Sequence, residues 1–209
     1  MEDNLTQKQK SYIKEVNSLD KVYELFQKEL GFPSELMHSA RVKETAVKQN
    51  LKEEIRKKII SIYKVMGFKE KLPVFLIETI NLPANKLTNL IRLISKYFAD
   101  NFEHALIIIT SDYIQYDWVL PGGKTEKKGK ATRLSIDRTN LYKTDIETIE
   151  KLKYQEGWTQ REAIKAFRDA FAVKRVTEQF FTEFRNKLIE LRSEIENQGI
   201  PIKESHALA

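Results

Sequence analysis

Pro73-Val74-Phe75-Leu76-Ile77-Glu78-Thr79-Ile80 decides the fold. Val74 to Ile77 is a continuous apolar run, the pattern of a strand buried on both faces, and an acid, Glu78, stands where that strand emerges. Downstream, Ala84, Leu87, Leu90, Ile91, Ile94, Tyr97 and Phe98 recur at helical spacing, with Lys86, Asn89, Arg92 and Lys96 on another side. Residues 105–110 are again apolar. Two such runs around a helix predict a parallel pair joined by a right-handed crossover. After a turn at Ser111-Asp112, residues 113–120 alternate, with Ile114, Tyr116, Trp118 and Leu120 on one side. Pro121-Gly122-Gly123 opens a Lys-rich loop, and residues 131–137 resume as a strand with Leu134 and Ile136 inward. The predicted class is α/β: a mixed sheet with a βαβ crossover.

Upstream of that strand, residues 1–17 read as a polar arm. Leu19, Val22, Leu25, Phe26 and Leu30 then mark a helix that Gly31 and Pro33 stop. Val47, Leu51, Ile55, Ile59, Ile62 and Met66 follow at three- and four-residue steps, which predicts a long helix ended by Gly67. Its polar sides carry Lys48, Lys52, Arg56, Lys57 and Lys58. Beyond the sheet, Thr144 with Glu147 and Thr159 with Glu162 have the spacing of capping boxes. Val173, Val176, Phe180, Phe184, Leu188, Leu191 and Ile195 form an apolar stripe over about three heptads. Long helices are therefore expected at both ends. The domain reading is an arm over 1–17, an α/β domain over 18–142, and a helical extension over 143–209 leading toward a further module. The apolar stripe needs a covering surface: the domain itself, a second copy in a homodimer, or that further module.

The chain has 209 residues, enough for one sizeable domain, and 41% are hydrophobic, enough for a packed core. It has no cysteine, which excludes disulfides, thiolate metal sites and thiol nucleophiles. His38, His104 and His206 lack ligand spacing, which argues against a zinc site. No apolar run approaches the ~20 residues of a membrane span, and the start MEDNLTQKQK is polar rather than a secretory signal, so a cytoplasmic protein is expected. Net charge is +6 and unevenly spread. Residues 41–71 carry ten Lys/Arg against four Glu, residues 122–138 six against two, and residues 145–209 eleven against twelve. A basic excess in the first two thirds suits a polyanionic partner, although solvated Lys-rich helices look alike.

Three groups could carry chemistry. Glu78 at a strand end could hold Mg2+, given a second acid and a basic group to steady water. Many metal-dependent nucleases place a lysine two residues after such an acid, whereas here that position is Ile80. Lys86 is a candidate substitute, and Asp112 and Asp117 are the nearby acids. The loop from Gly122 to Lys130 lacks phosphate-loop spacing and is flanked by strands. It reads as a basic hairpin whose Lys124, Lys127, Lys128 and Lys130 could follow a nucleic-acid backbone, with Arg133 behind them. Tyr113, Tyr116 and Trp118 could stack on bases, but the alternation assigns Tyr116 and Trp118 to the core.

The run Ala166-Phe167-Arg168-Asp169-Ala170-Phe171-Ala172-Val173-Lys174-Arg175-Val176-Thr177-Glu178-Gln179-Phe180-Phe181 resembles a segment of type IIG-like restriction–modification proteins. There a similar run closes an N-terminal domain before an adenine-specific DNA methyltransferase. The strands over 105–110, 116–119 and 134–138 also fit that domain, and the resemblance covers roughly residues 70–195. It implies a restriction-endonuclease-like core, DNA as partner, and a methyltransferase or specificity module in the same or an adjacent chain. It also implies a role in phage defence. No Asn-Pro-Pro-Tyr or Asp-Pro-Pro-Tyr motif occurs in these 209 residues. The expected function is a DNA-associated domain with a degenerate nuclease-like fold that contacts the DNA backbone or positions other modules. Lys86, Arg92, Lys96, Lys124, Lys127, Lys128, Lys130 and Arg133 are its expected contacts. The alternatives are a Mg2+-dependent endonuclease with Glu78 as metal ligand and catalytic acid, or a protein-interaction module built on the C-terminal helix.

Overall fold

The computed structural model describes residues 11–38, 43–68, 72–122 and 131–197, the side chains of 173–182 and 195–197 excepted. Its centre is a mixed sheet whose spatial order follows the chain: β1 (Ile59–Phe68), β2 (Leu72–Thr79), β3 (Leu106–Thr110), β4 (Gln115–Leu120) and β5 (Thr132–Asp137). The helices are α1 (Leu19–Glu24), α2 (Thr45–Gln49), α3 (Glu53–Arg56), α4 (Ala84–Asn101), α5 (Lys143–Glu150) and α6 (Gln160–Asn197). β2 and β3 run parallel, from Val74 opposite Leu106 to Glu78 opposite Thr110, and α4 joins them. The other neighbouring pairs are antiparallel. The mixed sheet with a βαβ unit is thus present.

The strand period of two sorts side chains between two cores. Val74, Leu76, Leu106, Ile108, Tyr116, Trp118, Leu134 and Ile136 face one way and pack with α1, α5 and the first turns of α6. Phe75, Ile77, Ile107, Ile109 and Val119 face the other way and pack with Leu51, Ile55 and the Leu90-Ile91-Ile94-Phe98 stripe of α4. Phe98 stacks on Phe102 at 5.1 Å and meets Phe75 edge-on at 5.0 Å. Each such ring pair contributes ~0.5–1.5 kcal/mol beyond its burial. On the opposite side Phe26 stacks on Trp118 at 5.8 Å. α1 continues through a π-helical turn, and Gly31, at φ +72°, ends it in the left-handed conformation that favours glycine.

The long helix expected over 47–66 does not form. α2 and α3 are single turns, and Ile59–Phe68 is strand. The cause of the misreading is physical. The register of β1 against β2 shifts between Ile59 and Ser61 and again between Lys64 and Met66. Each irregularity adds a residue, so Ile59 and Ile62 reach the same core at a spacing of three. A doubly buried, bulged strand therefore imitates helical periodicity. Its β-branched and aromatic content (Ile59, Ile60, Ile62, Tyr63, Val65, Phe68) was the contrary signal.

The arm assigned to 1–17 also needs correction. Residues 11–15 are helical, and Ile13 and Val16 are buried in the core with α1. Of the two capping boxes, Thr159–Glu162 forms: the Glu162 carboxylate accepts the Thr159 backbone N–H at 2.7 Å, and Thr159 Oγ1 accepts the Glu162 N–H at 3.3 Å. Thr144 instead lies inside α5, where Asp145 accepts the Tyr142 N–H at 3.4 Å. The chain divides into two compact units after Ala172. α5 and the Ala163-Phe167-Ala170-Phe171 stripe of α6 thus belong to the sheet's unit, beyond the expected boundary at 142. In the second unit Phe184, Leu188 and Leu191 of the expected stripe are exposed, as is Ile189 outside it.

Met37–His38 and Lys43–Glu44 lie along the outer side of β1. Met37 bridges Met66 and Lys43 bridges Tyr63, while His38 N–H donates to Val65 O at 3.0 Å and Glu44 N–H to Ile62 O at 2.8 Å. No helix among the described residues is long and apolar enough to cross a membrane.

Candidate nucleic-acid interface

Glu78 sits at the end of β2, on the α1 side of the sheet, because it alternates with Ile77 and aligns with Leu76. It is half-buried and accepts a short hydrogen bond from the Tyr113 hydroxyl. Tyr113 has φ +58°, a left-handed backbone rare for an aromatic residue. Two backbone contacts hold it there. Its N–H donates to Thr110 Oγ1 at 2.9 Å, and its carbonyl accepts Arg138 Nε at 2.6 Å. Arg138 Nη1 in turn donates to Lys14 O at 2.9 Å. Burial, and then the Glu78 carboxylate, push the Tyr113 hydroxyl well above the ordinary tyrosine range.

The residues around Glu78 do not fit a magnesium ion. Asp112 uses Oδ1 to accept the Ile114 and Gln115 N–H groups at 2.8 and 3.2 Å, closing the turn before β4. Asp117 alternates onto the opposite face of the sheet. So does α4, which carries Lys86 away from Glu78, and Ile80 is exposed. Among the described residues no group of three His, Asp or Glu side chains converges as a metal site would need. Tyr113 stood in the sequence as an aromatic that could stack on bases; its bond to Glu78 was not legible because the turn that delivers it depends on a backbone conformation tyrosine seldom adopts.

The expected cations separate. Lys86, Arg92 and Lys96 are exposed on α4, with Arg92 Nη2 donating to Asn89 Oδ1 at 3.1 Å. Arg133 is committed internally: Nε donates to Asp117 Oδ1 at 2.7 Å and Nη1 to Thr88 Oγ1 at 3.4 Å. Asp117 Oδ1 also accepts Ser135 Oγ at 2.6 Å. Asp117 is buried while Arg133 is partly exposed, so the pair ties β4 to β5 and to α4. Lys124, Lys127, Lys128 and Lys130 lie outside the described residues. Tyr116 and Trp118 are core, as the alternation predicted, and Tyr116 donates to Val16 O at 2.6 Å.

No family model, curated protein or solved structure matches the chain. The charge distribution over the fold is then the feature that points outward. The segments packed on the α4 side, residues 43–58 and 84–104, carry nine Lys/Arg against five Asp/Glu. On the opposite side residues 11–38 carry three against five, and residues 139–172 six against six. One face of the sheet is thus covered by a basic layer and the other by a neutral to acidic one.

Proposed function

We propose that this is a cytoplasmic DNA-associated domain of a restriction–modification or phage-defence protein. Its core is restriction-endonuclease-like but degenerate, and its task is to hold the DNA backbone or position neighbouring modules rather than to cleave. The observation that carries this reading is the basic layer: exposed Lys86, Arg92 and Lys96 on α4, with exposed Lys52 and Arg56 on the segment that shares its core. A polyanion is drawn to such a face without base-specific contacts, and the affinity comes from released counterions. The committed neighbours of Glu78 support the non-cleaving part. Such a domain would act with a methyltransferase or specificity module in the same or an adjacent chain.

Duplex binding measured by fluorescence anisotropy across a salt series tests this. Engagement of about five phosphates gives a log–log slope near −4.5. Replacing Lys86, Arg92 and Lys96 together by Gln should flatten that slope by about 2.7. Binding that ignores salt, or a triple variant with the original slope, refutes the assignment. Plasmid cleavage in Mg2+ or Mn2+ that disappears in Glu78→Ala would replace it with the nuclease reading.

A further inference from the structure

α4 covers this face of the sheet over β1–β3 and reaches Val119 of β4; beyond Val119 the face is polar. Gln115 and Asp117 on β4 and Arg133, Ser135 and Asp137 on β5 share this face by alternation. Between them and the first turns of α4 lies a cleft of about 340 Å3, also lined by Leu82, Ala84, Leu87, Thr88 and the exposed Tyr142. Its size is at the lower end for small-molecule sites. Two features distinguish it from ordinary surface. A buried carboxylate points into it: both bonds to Asp117 fall on Oδ1, which leaves the Oδ2 edge without a donor among the described residues. An aromatic side chain, 64% exposed, stands in the same lining.

We propose that this cleft takes one unpaired nucleobase through its pairing edge. The edge of every base presents a donor beside an acceptor. The donor suits Asp117 Oδ2, the acceptor suits the Arg133 guanidinium, and Tyr142 offers a stacking face over an apolar wall from Leu82 and Leu87. The cleft is a poor phosphate site, since Asp117 and Asp137 outnumber Arg133 in its lining. The backbone would instead lie on the basic layer, which flanks the same face. The choice of a nucleobase over another planar ligand rests on the DNA reading above, and the test separates the two.

The experiment titrates 15N-labelled protein with thymidine and with N3-methylthymidine, uncharged nucleosides that gain nothing from the basic layer. Thymidine should give saturable amide shifts at Gln115, Asp117, Arg133 and Ser135. Methylation of N3 removes the donor and should weaken binding at least about tenfold, since a hydrogen bond to a buried carboxylate is lost. In Asp117→Asn the Arg133 and Ser135 donors hold the amide oxygen in place of Oδ1, which turns the NH2 toward the cleft. The preference for thymidine should then collapse to about onefold, because the matched acceptor is gone. Tyr142→Ala, a surface change that leaves the fold intact, should weaken both nucleosides about fivefold or more. Equal binding of the two nucleosides, shifts elsewhere on the protein, or insensitivity to Tyr142→Ala overturns the proposal. Anisotropy with duplex on the same samples keeps the readings apart: duplex binding without nucleoside binding sinks the cleft alone, and loss of duplex binding sinks the DNA reading.

Discussion

Three tyrosines make the fold sensitive to alkali. Tyr116 is buried and donates to Val16 O at 2.6 Å, Tyr12 donates to Glu150, and Tyr113 donates to Glu78. Burial raises all three above the ordinary tyrosine pKa, and the partner carboxylates add to this for Tyr12 and Tyr113. A folded-state pKa above the unfolded one means the contribution is complete below pH ~10 and is lost as pH climbs toward the folded value. Above pH ~10 the unfolded chain releases these protons while the folded chain keeps them, so stability falls. Tyr116, shielded from solvent, contributes a slope of about 1.4 kcal/mol per pH unit. Tyr12 and Tyr113 are only half-buried, and screening narrows the pH range over which each adds to that slope. Urea unfolding followed by far-ultraviolet circular dichroism from pH 8.5 to 11 measures the slope. Lysines titrate in the same range in wild type and variants alike, so the comparison with Tyr→Phe isolates the tyrosines. Tyr116→Phe should cost ~1 kcal/mol at pH 8.5 for the lost hydrogen bond and flatten the slope by about 1.4 kcal/mol per unit. An unchanged slope in Tyr116→Phe, or ordinary tyrosinate absorbance from Tyr116 in the folded protein, would refute the reasoning.

Phe98→Ala removes the ring that joins α4 to Phe75 and Phe102, and should cost about 3–5 kcal/mol in denaturant midpoint analysis. Arg133→Met leaves the buried Asp117 carboxylate without its cation. With Arg133 a third exposed the expected loss is about 2–3 kcal/mol, and Asp117→Asn in that background should recover part of it. Deleting Ile60, the exposed extra residue at the first irregularity of β1, should leave a folded protein, because Ile59 and Ser61 keep their faces. Deleting Tyr63 reverses the faces of part of that strand and should abolish amide dispersion in the 15N spectrum.

The elements that sequence revealed are those whose burial is uniform. β2 and β3 are buried on both faces and read as unbroken apolar runs, and α4 lies on one core and shows a clean stripe. β4 and β5 alternate because one face is core while the other carries the Asp117–Arg133–Ser135 group. β1 was misread because its bulges break the period of two that identifies strands. The site was less legible for a similar reason. Glu78 and the α4 cations were visible as residue types, but their neighbours depend on long-range folding: Arg138 reaches Tyr113 and Lys14, and Thr88 meets Arg133. Arg133 counted as a surface cation in one dimension and is an internal brace in three.

The segments lying along β1 have a consequence for assembly. A sheet grows at its edges, where outward N–H and C=O groups recruit strands from other molecules. Two carbonyls of β1, at Ile62 and Val65, are already taken by Glu44 and His38, and the bulges twist the strand away from a flat template. Where these segments lie, the β1 edge has its carbonyls occupied and offers an added strand a broken, bulged ladder rather than a flat template.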